Sequence, residues 1–274
     1  MAVLQNGTAY DLTGPPEAPV VVLIHGLGLT RETTWGKIAP VLARHYRVLA
    51  YDLLGHGGTA LPQGAVTLTA LSEQLIALMD ALGIDRAALV GFSLGGMINR
   101  RCAMDHPGRV TALGILNAPH DRGEAQQQIV EQRARDTAAG GPAAGIDVTL
   151  ARWFTESFRS DHPDQVAAVR DIVLANDPAN YAAHHQVLAK GVRELIAPKP
   201  PITLPMLVIT CEHDSGSTPA MSHAIASETP GAETVIVPQL RHLGLIERFE
   251  LFAQPVQDFL ARHWHRGVDP DASD

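Results

Sequence analysis

The stretch Leu89 to Ile98 reads LVGFSLGGMI, and it restricts the fold more than any other part of the chain. An apolar run ends, a serine sits among glycines, and a helical period begins at once through Leu94, Met97, Ile98 and Cys102. A strand that turns sharply into a helix leaves its turn residue crowded and strained. Gly91 and Gly95 let neighbouring backbone approach, and Ser93 then projects from the carboxyl edge of the strand. The helix N-terminus beneath it favours negative charge, which makes the Leu94 N–H a candidate oxyanion donor.

The rest of the chain supplies the sheet such a turn needs. Further β-rich runs lie at Pro19–Ile24, Arg47–Tyr51, Ala87–Val90, Ala112–Leu116, Met206–Thr210 and Thr234–Val237. Their apolarity is continuous rather than alternating, as in strands buried on both faces of a parallel sheet. Helical stripes lie between them, such as Leu71, Leu75, Leu78, Met79 and Leu82 closed by Gly83. The expected class is therefore α/β, a mostly parallel sheet flanked by helices. From Asp121 to about Lys199 the rhythm breaks into helical segments only, one of them opened by Asp177 as N-cap and Pro178. Ala197 to Pro205 then reads as an extended return linker. The expected division is a core of 1–120 and 200–265, a helical insert of 121–199, and a polar, flexible tail of 266–274.

Composition narrows the partners. Among 274 residues the net charge is −8, and the 21 Lys and Arg are scattered, which argues against nucleic acid or an anionic membrane surface. No apolar stretch reaches the ~18–20 residues of a membrane span. The first residues lack the layout of a signal peptide. Cys102 and Cys211 are too few for a disulfide framework and read as small buried hydrophobes. A cytoplasmic setting is expected.

A G-x-S-x-G string alone also fits an ordinary strand-to-helix turn; what sharpens the reading is partners. A hydroxyl is unreactive at neutral pH without a base, and the base needs an orienting carboxylate. Asp214 follows the run MLVIT, and His242 follows TVIV. Both would reach the same carboxyl edge as Ser93, where open α/β sheets gather their sites. Glu212 is the alternative acid, and His25, beside a buried-looking strand, reads as structural. A second oxyanion donor is expected from the first strand-to-helix loop, at the Leu27 N–H in Ile24-His25-Gly26-Leu27-Gly28.

Taken in order, HGLG at 25–28, YDLLGHGGT at 51–59, GFSLGG at 91–96, Asp214 and His242 make the chain resemble the α/β-hydrolase superfamily over residues 15–262. The resemblance implies that the helical insert is a cap over the active site. Within the superfamily the chain looks most like 3-oxoadipate enol-lactonases. Trp153-Phe154-Thr155 with Phe158-Arg159, His162-Pro163-Asp164, Tyr181-Ala182-Ala183, and Arg241-His242-Leu243 with Glu247 carry that likeness. It departs from that pattern at His184-His185, where small residues or cysteine are expected, and at Cys211, where glycine usually stands.

The expected function is hydrolysis of a small-molecule carboxylic ester or lactone through an acyl-enzyme, with Ser93, His242 and Asp214 catalytic and Leu27 and Leu94 as oxyanion donors. A carbon–carbon hydrolase of ring-cleavage products, a general esterase or perhydrolase, and a ligand receptor on the same scaffold are the rivals. Trp153 either roofs the pocket or is core. His185 shares a helical face with Tyr181 and Leu188, and either meets substrate or is spent on cap packing. No metal motif or phosphate-cradling loop occurs, the pair His263 and His265 being too short to claim one, so no cofactor or metal is expected.

Overall fold

The computed structural model describes residues 1–263; His265 and the tail 266–274 lie outside them. Two short strands, β1 (Ala2–Val3) and β2 (Ala9–Thr13), precede the six read from the sequence: β3 (Val20–Ile24), β4 (Arg47–Tyr51), β5 (Ala87–Phe92), β6 (Val110–Leu116), β7 (Met206–Cys211) and β8 (Glu233–Val237). They form one sheet in the order β1-β2-β4-β3-β5-β6-β7-β8. The β1–β2 and β2–β4 pairs are antiparallel, and every other pair is parallel. Every residue of the inner strand β5 is buried, which is why it reads as an unbroken apolar run. Strand β2 has one buried residue and is otherwise half-buried or exposed, so it carries no such signal.

Helices α1 (Arg31–Trp35) and α2 (Ala39–Leu42) follow β3, α3 (Leu68–Ala81) follows β4, and α4 (Leu94–Asp105) follows β5. Leu71, Leu75, Leu78 and Met79 of α3 are fully buried, each contributing about 1.5–3 kcal/mol of transfer free energy. Thr67 caps the start of α3 by accepting the Ala70 N–H, and Gly83 follows its end at φ 66°.

Between β6 and β7 the chain forms an all-helical cap of α5 (Gly123–Gly140), α6 (Ile146–Trp153), α7 (Glu156–Asp161), α8 (Pro163–Leu174) and α9 (Pro178–Lys190), with short 3₁₀ turns. Asp177 starts α9 as expected, accepting the Asn180 N–H at 2.8 Å. One carboxylate holds the entry and exit of this insert together. Glu228 Oε1 meets His120 Nε2 at 2.8 Å and accepts the Ala197 N–H at 2.8 Å, while its Oε2 accepts from buried Arg100 at 3.0 Å. The core closes with α10 (Pro219–Ser227) after β7, and α11 (Gly244–Glu247) and α12 (Glu250–His263) after β8.

Cys102 and Cys211 are fully buried, and burial pushes their thiols up to about 11 and about 12. They stay protonated and pack as small hydrophobes. Among the described residues no helix is long and apolar enough to cross a membrane.

Candidate active site

Ser93 follows β5 directly and sits at φ 54°, ψ −112°, a region a residue with a Cβ enters only under constraint. The constraint comes from both sides. Its N–H continues the sheet by donating to Leu116 C=O at 2.8 Å, and its C=O accepts the Gly96 N–H at 3.0 Å in the first turn of α4. A Cβ at Gly91 would stand 2.1 Å from Gly95 O, and one at Gly95 would stand 2.2 Å from Ile24 O. The two glycines are thus what let strand, turn and helix close on one another.

Ser93 Oγ donates to His242 Nε2 at 3.2 Å, and His242 Nδ1–H donates to Asp214 Oδ2 at 2.6 Å. Three residues from three loops at the carboxyl edge of the sheet therefore make one hydrogen-bonded chain. Asp214 is buried. Burial raises its pKa, but the His242 imidazole, the Asn117 amide and the Ser217 N–H outweigh that and hold it below the usual carboxylate range. Asn117 Nδ2 donates to Asp214 Oδ2 at 2.9 Å, while the Gly216 and Ser217 N–H groups donate to Oδ1 at 2.8 and 3.0 Å. Asn117 is absent from the sequence reading. Its one signal is an asparagine directly after β6, at φ 48°, where asparagine tolerates the left-handed region. Glu212 turns outward and accepts the Gln239 N–H at 2.9 Å, so the geometry joins Asp214, not Glu212, to His242.

Leu27 lines the same pocket as Ser93. Its N–H shares a peptide plane with Gly26 C=O, and that carbonyl accepts from His25 Nδ1–H at 2.8 Å. In a trans peptide the two groups point in opposite directions, so holding the carbonyl sets the direction of the Leu27 N–H. His25 Nε2 accepts the Leu53 N–H at 2.9 Å, which fixes its tautomer. The Leu94 N–H is among the first of α4 and so has no intrahelical acceptor.

A family model described as alpha/beta hydrolase fold matches residues 19–249. The chain belongs to the α/β-hydrolase fold family. The 3-oxoadipate enol-lactonase 2 of Acinetobacter baylyi is 27% identical over 254 residues, covering 92% of each chain. The (E)-2-((N-methylformamido)methylene)succinate hydrolase of the same organism is 26% identical over 259 residues, covering 94% of this chain and 96% of that one. The crystal structure of the enol-lactonase from Burkholderia xenovorans LB400 superposes with a TM-score of 0.84 at 32% identity, covering 93% of this chain and 96% of that one.

In this α/β hydrolase the motifs that carry the enol-lactonase likeness are bonded to one another. Leu243 N–H donates to Trp153 C=O at 2.8 Å, and Arg241 Nη1 donates to Ala151 C=O. Glu247 accepts the N–H and hydroxyl of Thr155 at 2.8 and 2.7 Å. The cap segment Trp153-Phe154-Thr155 is thereby docked on the loop that carries His242. Trp153 is both packed and at the pocket: it is nearly buried, lines the pocket, and lies 6.2 Å ring to ring from His242. His185 also does both, lining the pocket while its Nδ1 shares a hydrogen bond with Thr137 Oγ1 at 3.0 Å. His184 does not line it; its ring is fully buried against His56 at 4.6 Å.

The cap wall of the pocket carries Arg122, Arg133 and Arg152, which the sequence reading did not single out. Arg122 is spent on Gln127 and on the carbonyls of Leu188 and Ala189. Arg133 and Arg152 form no ion pair among the described residues, and the buried Arg152 Nε has no hydrogen-bond partner. Burial lowers the pKa of Arg152, and the Arg133 charge lowers it further. Two cations held together in a half-desolvated pocket are unfavourable until an anion joins them.

Several buried histidines are held neutral. Burial pushes His184 down to about 4 and lowers His25 and His56. An unfolded histidine titrates near 6.5, so between about pH 6.5 and 4 the unfolded chain binds more protons and folding weakens as pH falls. For His184 alone the slope is about 1.4 kcal/mol per pH unit, or about 2 kcal/mol from pH 6.5 to 5. Urea midpoints at pH 7 and pH 5 should differ accordingly; equal midpoints would contradict neutral burial.

Proposed function

We propose that this α/β hydrolase is a serine hydrolase that opens a carboxylate-bearing lactone or ester, in the manner of an enol-lactonase. The observation that carries the reading is the chain Ser93–His242–Asp214 opening into a pocket also lined by Arg133 and Arg152, neither of which is in an ion pair among the described residues. Ser93 Oγ attacks the carbonyl carbon while its proton passes to His242 Nε2, and Asp214 holds the imidazolium that forms. The N–H groups of Leu27 and Leu94 receive the oxyanion. On collapse the carbon–oxygen bond to the leaving group breaks, and His242 returns the proton to that oxygen. Water, deprotonated by His242, then releases the acid from Ser93. In a lactone the leaving oxygen stays tethered to the acyl group, so one product results; an enol leaving group tautomerises to a ketone.

The relatives named for 3-oxoadipate enol-lactone and for a substituted succinate act on carboxylates, which supports assigning the arginines to a substrate carboxylate. Trp153 and His185 would shape the same cavity. The direct test is loss of 3-oxoadipate enol-lactone absorbance by wild type and Ser93→Ala, with background hydrolysis subtracted. Turnover that survives in Ser93→Ala overturns the mechanism. Ser93-dependent cleavage of an aryl ester without turnover of the lactone keeps the mechanism and removes the lactone. A trapped adduct after one turnover would instead mark a receptor.

Charge selection has its own test. A hydrogen bond to a charged group contributes about 1.5–3 kcal/mol, so Arg133→Gln with Arg152→Gln should raise KM for the carboxylate-bearing substrate by about 10- to 100-fold. A neutral methyl ester of the same substrate should change by less than about threefold. Equal effects on both would show that the arginines do not bind the carboxylate.

A further inference from the structure

The histidine of the YDLLGHGGT stretch has no part in the chemistry above, yet it is almost completely buried. His56 Nδ1–H donates to Leu54 C=O at 3.1 Å, which leaves Nε2 as an acceptor, and Nε2 accepts the Gly28 N–H at 3.1 Å. That N–H belongs to the peptide that joins Leu27 to Gly28. With His25 on the preceding peptide, the two planes that flank the Leu27 α-carbon are each held by a buried imidazole. Gly28, at φ +74°, has no side chain to restrain it otherwise.

The cap grips the same residues from the other side. Asn176 Nδ2 donates to Gly28 C=O at 3.0 Å, and a Cβ at Gly28 would stand 2.6 Å from the Tyr181 ring. Asn180 Nδ2 donates to the carbonyls of Leu54 and Gly55 at 3.2 and 3.1 Å. The His184 ring lies edge-on to His56, and its Nδ1–H donates to Asn180 C=O at 2.9 Å. Helix α9 therefore seats on His56 and Gly28 together.

We propose that His56 is a positioning residue for the loop that supplies the Leu27 N–H, and that helix α9 of the cap keeps it in place. This rests on the oxyanion role given to Leu27 above. The imidazole must be neutral to accept from Gly28, and burial beside His25 and His184 favours that form. Once the acceptor is lost, only one of the two planes flanking Leu27 keeps its imidazole, and the Leu27 N–H, held by His25 alone, is less firmly aimed at the position where the oxyanion forms. Binding of the ground-state substrate is unaffected, because the displaced group acts on charge that develops only in the transition state.

The test compares wild type, Ser93→Ala, His56→Leu and His56→Gln on one lactone or aryl ester that wild type turns over. Glutamine can place its amide oxygen where Nε2 stands; leucine cannot accept a hydrogen bond. For His56→Leu, kcat should fall about 10- to 100-fold with KM within about twofold, a large part of what a lost oxyanion donor costs. Affinity for phenylboronic acid, which forms a tetrahedral adduct on the serine, should fall by the same factor. His56→Gln should recover to within about fivefold of wild type. Should His56→Leu not fold, Asn176→Ala removes the hold on the Gly28 carbonyl, together with two local bonds to the Ile172 and Val173 carbonyls, and about a 3- to 10-fold loss confined to kcat is expected. Unchanged kcat in the folded variant tested, a parallel change in KM, or equal impairment of the leucine and glutamine variants overturns the proposal. Turnover that persists in Ser93→Ala overturns the parent reading, an outcome distinct from all of these.

Discussion

Ser93→Ala and His242→Ala are each expected to lower kcat by about 10⁴-fold or more while leaving the fold intact. The hydroxyl and the imidazole act as one unit, so removing either leaves the other without its partner, and the double variant should be little worse than each alone. Residual rate would come from the Leu27 and Leu94 N–H groups and from substrate binding, neither of which the substitutions touch. Folding should survive because Ser93 sits at φ 54° by constraint of its neighbours, and alanine imposes no greater steric demand there. Steady-state kinetics with matching far-UV spectra and urea midpoints make the check. A variant that keeps more than roughly a tenth of the wild-type rate would place the chemistry elsewhere.

Gly95→Ala is expected to destabilise the whole protein by at least about 3 kcal/mol. The new Cβ would lie 2.2 Å from Ile24 O, 2.7 Å from Ile24 C and 2.9 Å from His25 O. All three are backbone atoms at the end of β3, which pairs with both β4 and β5. They cannot swing aside as a flexible side chain can. Relief requires α4 to rise off the sheet, which would expose the fully buried Leu94, Met97 and Ile98 and carry Ser93 away from His242. Gly108→Ala, where an added Cβ meets nothing within 4 Å, is the control and should stay within about 0.5 kcal/mol. Equal urea midpoints for the two variants would show that the close approach is not what the glycine at 95 serves.

The contrast between these glycines shows what a linear reading can and cannot reach. Gly91 and Gly95 are legible because they flank a serine at the junction of two periodicities. The crowding around them is legible only in three dimensions, where Gly91 packs on the first turn of α4 and the end of β3 passes beside Gly95. Asn117 escaped because a single asparagine after a strand is common in loops, and nothing local marks it as the donor to Asp214. Strand β2 escaped because a mostly half-buried strand near the edge of the sheet lacks the unbroken apolarity of β5.

Taken alone, the sequence determined the α/β class, the strands from β3 to β8, the all-helical insert, and Ser93, Asp214 and His242 as the residues to bring together. It could do so because buried parallel strands, helical stripes and strand-to-helix turns are local patterns, and the order of loops follows from the order of strands. Only the tertiary structure decided which groups meet across long separations. It joined Trp153 and Thr155 to the loop of His242, put Arg133 and Arg152 in one pocket without an ion-pair partner among the described residues, and set the His56 ring against the Gly28 N–H. Those pairings depend on how helices of the cap rest on loops of the sheet, and packing between distant segments leaves no period in the chain that encodes it.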